Sequence, residues 1–163
     1  MENYKLIREM IRWEENVPGR IQHFLKVHAF AKQIGEGEKL PERTMEILET
    51  AAIVHDIGIR PAMAKYNDAA GPYQEKEGAP AAKKLLTALG YDEELTERVS
   101  VLVGRHHTYE NIDGPDCQIL IEADFLVNLY EGEADREKIL NVRKNIFRTA
   151  AGTEILNTMF GLE

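Results

Sequence analysis

Apolar residues recur every three to four positions along almost the whole chain, which is the spacing of helices packed on one face. Tyr4, Leu6, Ile7, Met10, Ile11 and Trp13 predict a helix over about 3–13. Asn16-Val17-Pro18-Gly19 interrupts it, and Pro18 suits the first turn of the next helix. That helix, about 18–35, is apolar on more than one face (Ile21, Phe24, Leu25, Val27, Phe30, Ile34) and is therefore read as central, with Gly35 and Gly37 as its stop. A helix from Pro41 to about His55 follows, ending before Gly58. The segment 60–77 holds Pro61, Gly71 and Pro72 and reads as a long loop with at most one short helix. Further helices are predicted over 78–89, 92–106, 115–131, 133–147 and 149–159, with a turn-rich loop over 108–115. No stretch sustains alternation with period two. The expected fold class is all-α, a single helical domain.

The composition narrows the function. A chain of 163 residues with 44% hydrophobic content can bury a polar site in one core. A formal net charge of -8 argues against a large nucleic-acid interface, which needs a basic surface. A small nucleotide substrate stays compatible, because a bound cation can outweigh the global field locally. The single cysteine, Cys117, allows neither an internal disulfide nor a thiolate zinc cluster. Neither an apolar leader nor a stretch of transmembrane length is evident, so the expectation is a cytoplasmic protein without a membrane partner.

The chemistry sits where polar residues break apolar runs. His55-Asp56 closes the run AAIVHDIGI, and a charged carboxylate there is costly unless paired. A shared divalent cation, ligated by imidazole nitrogen and carboxylate oxygen, compensates both groups; the alternative is a helix-capping histidine followed by a turn. Asp124, inside ILIEADFLVNL, also needs a partner, either a metal or a core arginine such as Arg20 or Arg105. Glu122 is read as facing solvent or the site rim. His23 and His28 lie five apart, about 140° around a helix. They therefore do not share one metal comfortably, and periodicity does not choose between them. His106-His107 follow an apolar helix and precede a loop, which places them at a site rim. Glu131-Gly132-Glu133-Ala134-Asp135 reads as a solvated helix start.

Taken in order, His23, His55-Asp56 and Asp124 resemble the ligand series of the HD superfamily of metal-dependent phosphohydrolases. Arg20-Ile21-Gln22-His23 with Val27 and Ala31 looks like that family's first-histidine helix. Ala51 to Gly58 looks like its signature helix and turn, and Glu122-Ala123-Asp124 like its final aspartate helix. The resemblance covers about residues 18–130. It implies an all-α bundle of the HD type with the helices of 133–159 packed on it, and it selects His23 over His28. It also implies a divalent metal (Fe, Mn, Co, Ni or Zn), one or two per chain, held by His23, His55, Asp56 and Asp124. Two departures stand out. A lysine that often follows His-Asp-Ile-Gly is replaced by Ile59, which leaves the phosphate contact either moved to Arg60 or Lys65 or absent, with Arg105 a further candidate clamp. The histidine that often precedes a Gly-Ala step is absent before Gly78-Ala79, leaving Glu75 or Glu77 as oxygen donors, or His106 and His107 alone, for a second metal.

The expected function is hydrolysis of a small phosphoester, a nucleotide being one example. Asp56, His106, His107 and Arg60 are the catalytic candidates, and His106 and His107 double as candidate second-metal ligands. The partner is a small phosphorylated substrate. Apolar residues near both ends are compatible with a homodimer. Two other classes carry the same ligands: a di-iron oxygenase of the same fold, and a non-catalytic metal- or nucleotide-binding module.

Overall fold

The computed structural model describes residues 2–163. Among these, the helices in chain order are α1 (Glu2–Trp13), α2 (Pro18–Gly37), α3 (Glu42–Val54), α4 (Ile59–Tyr66), α5 (Gly71–Ala88), α6 (Glu93–Val103), α7 (Pro115–Glu131), α8 (Arg136–Asn145) and α9 (Ala150–Phe160). No strand occurs among the described residues, and no helix there is long and apolar enough to cross a membrane. The all-α bundle expected from the periodicity is the one observed.

Helix α3 is the hub, packing against α1, α2, α6 and α7. Its sequence explains why it can be surrounded. Leu48, Ala51, Ala52, Ile53 and Val54 are all fully buried, and the two alanines keep its girth small enough for close neighbours on several sides. Helix α2 runs alongside it, burying His23, Phe24, Val27, Ala31 and Ile34, and α7 closes the other flank of α2. The apolar face of α1 supplies Leu6 and Met10, and its Trp13 indole donates to the Ile57 carbonyl at 3.1 Å, fastening α1 to the turn after α3. Helix α9 packs on α2 and α7.

Helix ends follow local chemistry. Asp92, Asp135 and Thr149 cap α6, α8 and α9, their side chains accepting from the backbone N–H of Leu95, Lys138 and Gly152. Buried Glu122 adds to the last of these. Its carboxylate accepts from the backbone N–H groups of Arg148 (3.0 Å) and Thr149 (3.1 Å), from the Thr149 hydroxyl, and from the Gln118 amide. The expectation that Glu122 faces solvent or the site rim is thus corrected: the amino end of α9 needs an anion, and Glu122 provides it.

Two boundaries differ from the periodicity reading. The expected loop 60–77 is mostly helical, in α4 and the first turns of α5, with only residues 67–70 between them. Gly71-Pro72 is a helix start rather than a break, because proline in a first turn has no donor to lose. Helix α2 also runs past Gly35. That glycine lies against Met45 and Leu48 of α3, where a Cβ would collide with the Met45 sulfur, so it serves interhelix contact and not termination.

The same logic is strongest at Gly58, in the turn that carries His55 and Asp56. A Cβ on Gly58 would stand 2.3 Å from the Gln74 carbonyl oxygen and under 3 Å from the backbone of Gly78. The clash is with backbone, which cannot rotate away. Gly58→Ala is therefore expected to destabilise the protein by about 1–3 kcal/mol, the usual range for overpacking, read as a lower urea midpoint with an unchanged slope.

Candidate metal centre

Four side chains from two helices and one turn converge at the junction of α2, α3 and α7. His23 comes from α2, His55 and Asp56 from the end of α3 and its following turn, and Asp124 from the middle of α7. His23 Nε2 lies 3.2 Å from His55 Nε2, 3.0 Å from Asp124 Oδ1 and 3.2 Å from Asp56 Oδ2. His55 Nε2 lies 3.3 Å from Asp56 Oδ2 and 3.4 Å from Asp124 Oδ1. His55 is fully buried, and His23 and Asp124 nearly so. Asp56, with 15% of its side chain exposed, opens to solvent.

The protonation states follow from the outer partners. His55 Nδ1 donates to the Ala52 carbonyl at 2.7 Å, which can only accept. His23 Nδ1 donates to the Glu131 carboxylate at 2.6 Å. In each neutral imidazole the lone pair therefore sits on Nε2, facing the centre. Each of the two Nε2 atoms thus lies 3.2 Å from the other and within 3.4 Å of an oxygen of both carboxylates. Such an arrangement repels itself unless a cation occupies the middle. The electrostatics agree. Burial acts to lower His55, but Asp56 and Asp124 override it and raise it well above the usual histidine value. Burial acts to raise Asp56, but His55 and His106 hold it well below the usual carboxylate range. The donor set of two nitrogens and two oxygens fits a first-row divalent metal, and histidines that donate their other N–H to a carboxylate or carbonyl are the common support for one.

The structure brings the two other histidines of the region to the same centre in different states. His106 Nε2 is buried without a hydrogen-bond partner, 3.4 Å from Asp56 Oδ1, while its Nδ1 donates to the Val103 carbonyl at 2.7 Å. It repeats the pattern of His23 and His55. His107 does not, because its Nε2 meets the side-chain oxygen Oε1 of Gln74 at 3.0 Å. Burial and the adjacent His106 push its pKa down to about 4, so it is neutral at physiological pH. Asp56, His106 and His107 nevertheless offer ligand atoms within 4.8 Å of one another, as do His23, His55 and Asp56.

The remaining expected residues lie around this core. His28 is turned away and pairs with Glu49 at 3.0 Å, which separates it from His23 as the geometry of a five-residue spacing requires. Neither arginine considered as a partner for Asp124 reaches it: Arg20 pairs with buried Glu14 at 2.8 Å, and Arg105 donates to the carbonyls of Glu110 and Asn111. Arg60 is exposed and donates through Nη2 to the Glu15 carbonyl. Lys65 lies 3.7 Å from Glu77, which also accepts from the Tyr66 hydroxyl. Glu75 accepts from the backbone N–H of His107 and the hydroxyl of Thr108, tying the histidine turn to α5.

Two residues of the centre were not anticipated. Glu131 is the support for His23, not part of a solvated helix start, and Asn128 donates to Asp124 Oδ1 at 3.1 Å. Both were available from spacing. Asp124, Asn128 and Glu131 stand at i, i+4 and i+7, one face of α7.

Comparison with known proteins identifies the family of the chain. The HD domain family model matches residues 20–143. The chain is similar to the crystal structure of a protein described as a predicted HD superfamily hydrolase, from an uncultured Thermotogales bacterium. The two superimpose with a TM-score of 0.66 at 25% identity, over 96% of this chain and 82% of that one. No curated protein matches the chain. The match spans every residue of the four-membered centre, and the chain belongs to the HD domain family, a family of metal-dependent hydrolases.

Proposed function

We propose that the protein hydrolyses a small phosphoester with a single divalent cation held by His23, His55, Asp56 and Asp124. The observation that carries this reading is the convergence of two imidazole nitrogens and two carboxylates in a buried cluster whose most exposed member is Asp56. When bound there, a divalent metal acts as a Lewis acid toward a phosphoryl oxygen and lowers the pKa of a coordinated water to ~7.

The chain's own residues do the rest. Glu131 and the Ala52 carbonyl fix the orientation of His23 and His55, so that both Nε2 atoms point inward before anything binds. Asn128 does the same for Asp124. His106 Nε2, buried and 3.4 Å from Asp56 Oδ1, is placed to exchange a proton with a nucleophilic water beside that carboxylate. Arg60, four residues beyond Asp56 in the first turn of α4, spends only Nη2 on the Glu15 carbonyl among the described residues. Its Nε and Nη1 remain for a phosphate oxygen.

Protein purified without chelator is expected to retain one equivalent of divalent metal per chain and to release phosphate from a panel of monophosphate esters. Asp56→Ala loses both. Elemental analysis beside a phosphate-release assay checks this, and a wild type that cannot be loaded with metal contradicts it. Glu131→Ala tests the support of His23 separately. Metal affinity should fall about 10–100-fold, as is usual when such an outer partner is removed, without loss of helical content. Competition with a chelating dye gives the affinity and circular dichroism the fold.

A further inference from the structure

A directed chain of hydrogen bonds ends at an exposed phenol beside the metal centre. Its direction is fixed at the far end by the Ala69 carbonyl, which can only accept. The Gln74 side chain meets that carbonyl at 2.8 Å, so the end facing it is the NH2 group. The opposite end, the Gln74 carbonyl oxygen, therefore faces His107 Nε2 at 3.0 Å, and that nitrogen must carry the proton. The neutral ring keeps its lone pair on Nδ1. The Tyr109 hydroxyl lies 3.4 Å from that nitrogen and donates to it. With its one proton committed to His107, the phenol oxygen has only lone pairs left to offer.

Tyr109 is well placed to use them. Its ring packs on Phe125, the residue after ligand Asp124, with centroids 5.2 Å apart. The side chain is nonetheless 41% exposed, unlike the buried ligands behind it. The turn that carries it is tied to α5 by Glu75, through the His107 N–H and the Thr108 hydroxyl. An acceptor held at the edge of the centre has no use for a phosphate oxygen, which is itself an acceptor. It suits a hydroxyl on the alcohol half of the ester.

We propose that Tyr109 is a specificity-determining residue, held by Gln74 and His107 as a fixed hydrogen-bond acceptor, that favours phosphoesters of polyhydroxylated alcohols such as sugar phosphates and nucleotides. This rests on the phosphoester-hydrolase reading above. Gln74 is a positioning residue, acting through His107.

The test compares wild type, Tyr109→Phe and Gln74→Leu, all loaded with manganese, on ribose 5-phosphate and on phenyl phosphate. The first substrate carries hydroxyl donors and the second none. Removing the phenolic hydroxyl should raise KM for ribose 5-phosphate about 3–10-fold, the worth of one hydrogen bond. It should leave kcat and both constants for phenyl phosphate unchanged. Gln74→Leu should raise the same KM. In metal-free protein, nitrogen-15 spectra of the histidine side chains should show wild-type His107 protonated at Nε2, and Gln74→Leu should lose that single tautomer. Equal effects on the two substrates, no effect on either, or a wild-type His107 protonated at Nδ1 would overturn the proposal and leave the hydrolase reading in place. Failure of the wild type to release phosphate from either of these or from the wider panel would overturn both.

Discussion

Two imidazole nitrogens stand 3.2 Å apart at the centre of this bundle, each within 3.4 Å of two carboxylates, and the surrounding structure is arranged to keep them there. Left to itself, the cluster would draw in protons or fly apart, because each group presents electron density to the others. The outer shell prevents the second outcome. Glu131 and the Ala52 carbonyl hold the two imidazoles by their far sides, and Asn128 donates to the inward-facing Oδ1 of Asp124, so the crowding of like against like is not relieved by rotation. A divalent cation turns the same geometry from repulsive to attractive.

That arrangement demands a rigid frame, and the frame is made by small residues. Ala51 and Ala52 let neighbouring helices approach α3 from several sides. Gly58 lets the His55-Asp56 turn lie directly on the backbone of α5 near Gln74 and Gly78. The approach brings the two halves of the site together. Helices α2, α3 and α7 supply the four-membered centre, and α5 supports the turn bearing His106, His107 and Tyr109. Packing and chemistry meet at this seam, since the same stretch of α5 meets Gly58 and orients His107.

The helical architecture was legible because amphipathic spacing is a local signal, and the four residues of the candidate centre because buried acids and histidines in apolar runs are rare without a partner. His23 was separable from His28 only through the family resemblance. Periodicity could not decide, since both faces of α2 are covered, one by the metal centre and one by Glu49. Gly71-Pro72 was misread as a break because the residues that end helices also begin them. Glu122 and Glu131 were misread for a different reason. Each looks like a surface acid in its own neighbourhood, and each is called inward by a group distant in sequence: the amino end of α9 for Glu122, and His23 for Glu131. Gln74 carries no local sign of its role at all, which depends on a carbonyl before it and a histidine on another element.

The central claim is that the four converging atoms are metal ligands. X-ray absorption at the zinc edge, on protein loaded with one equivalent of zinc and freed of excess metal, tests it most directly. The account predicts a first shell of nitrogen and oxygen with the outer scattering of two imidazoles, and loss of that imidazole signal when His23 and His55 are both replaced by alanine. An all-oxygen shell without imidazole scattering in the wild type, or zinc that does not stay bound, would contradict it.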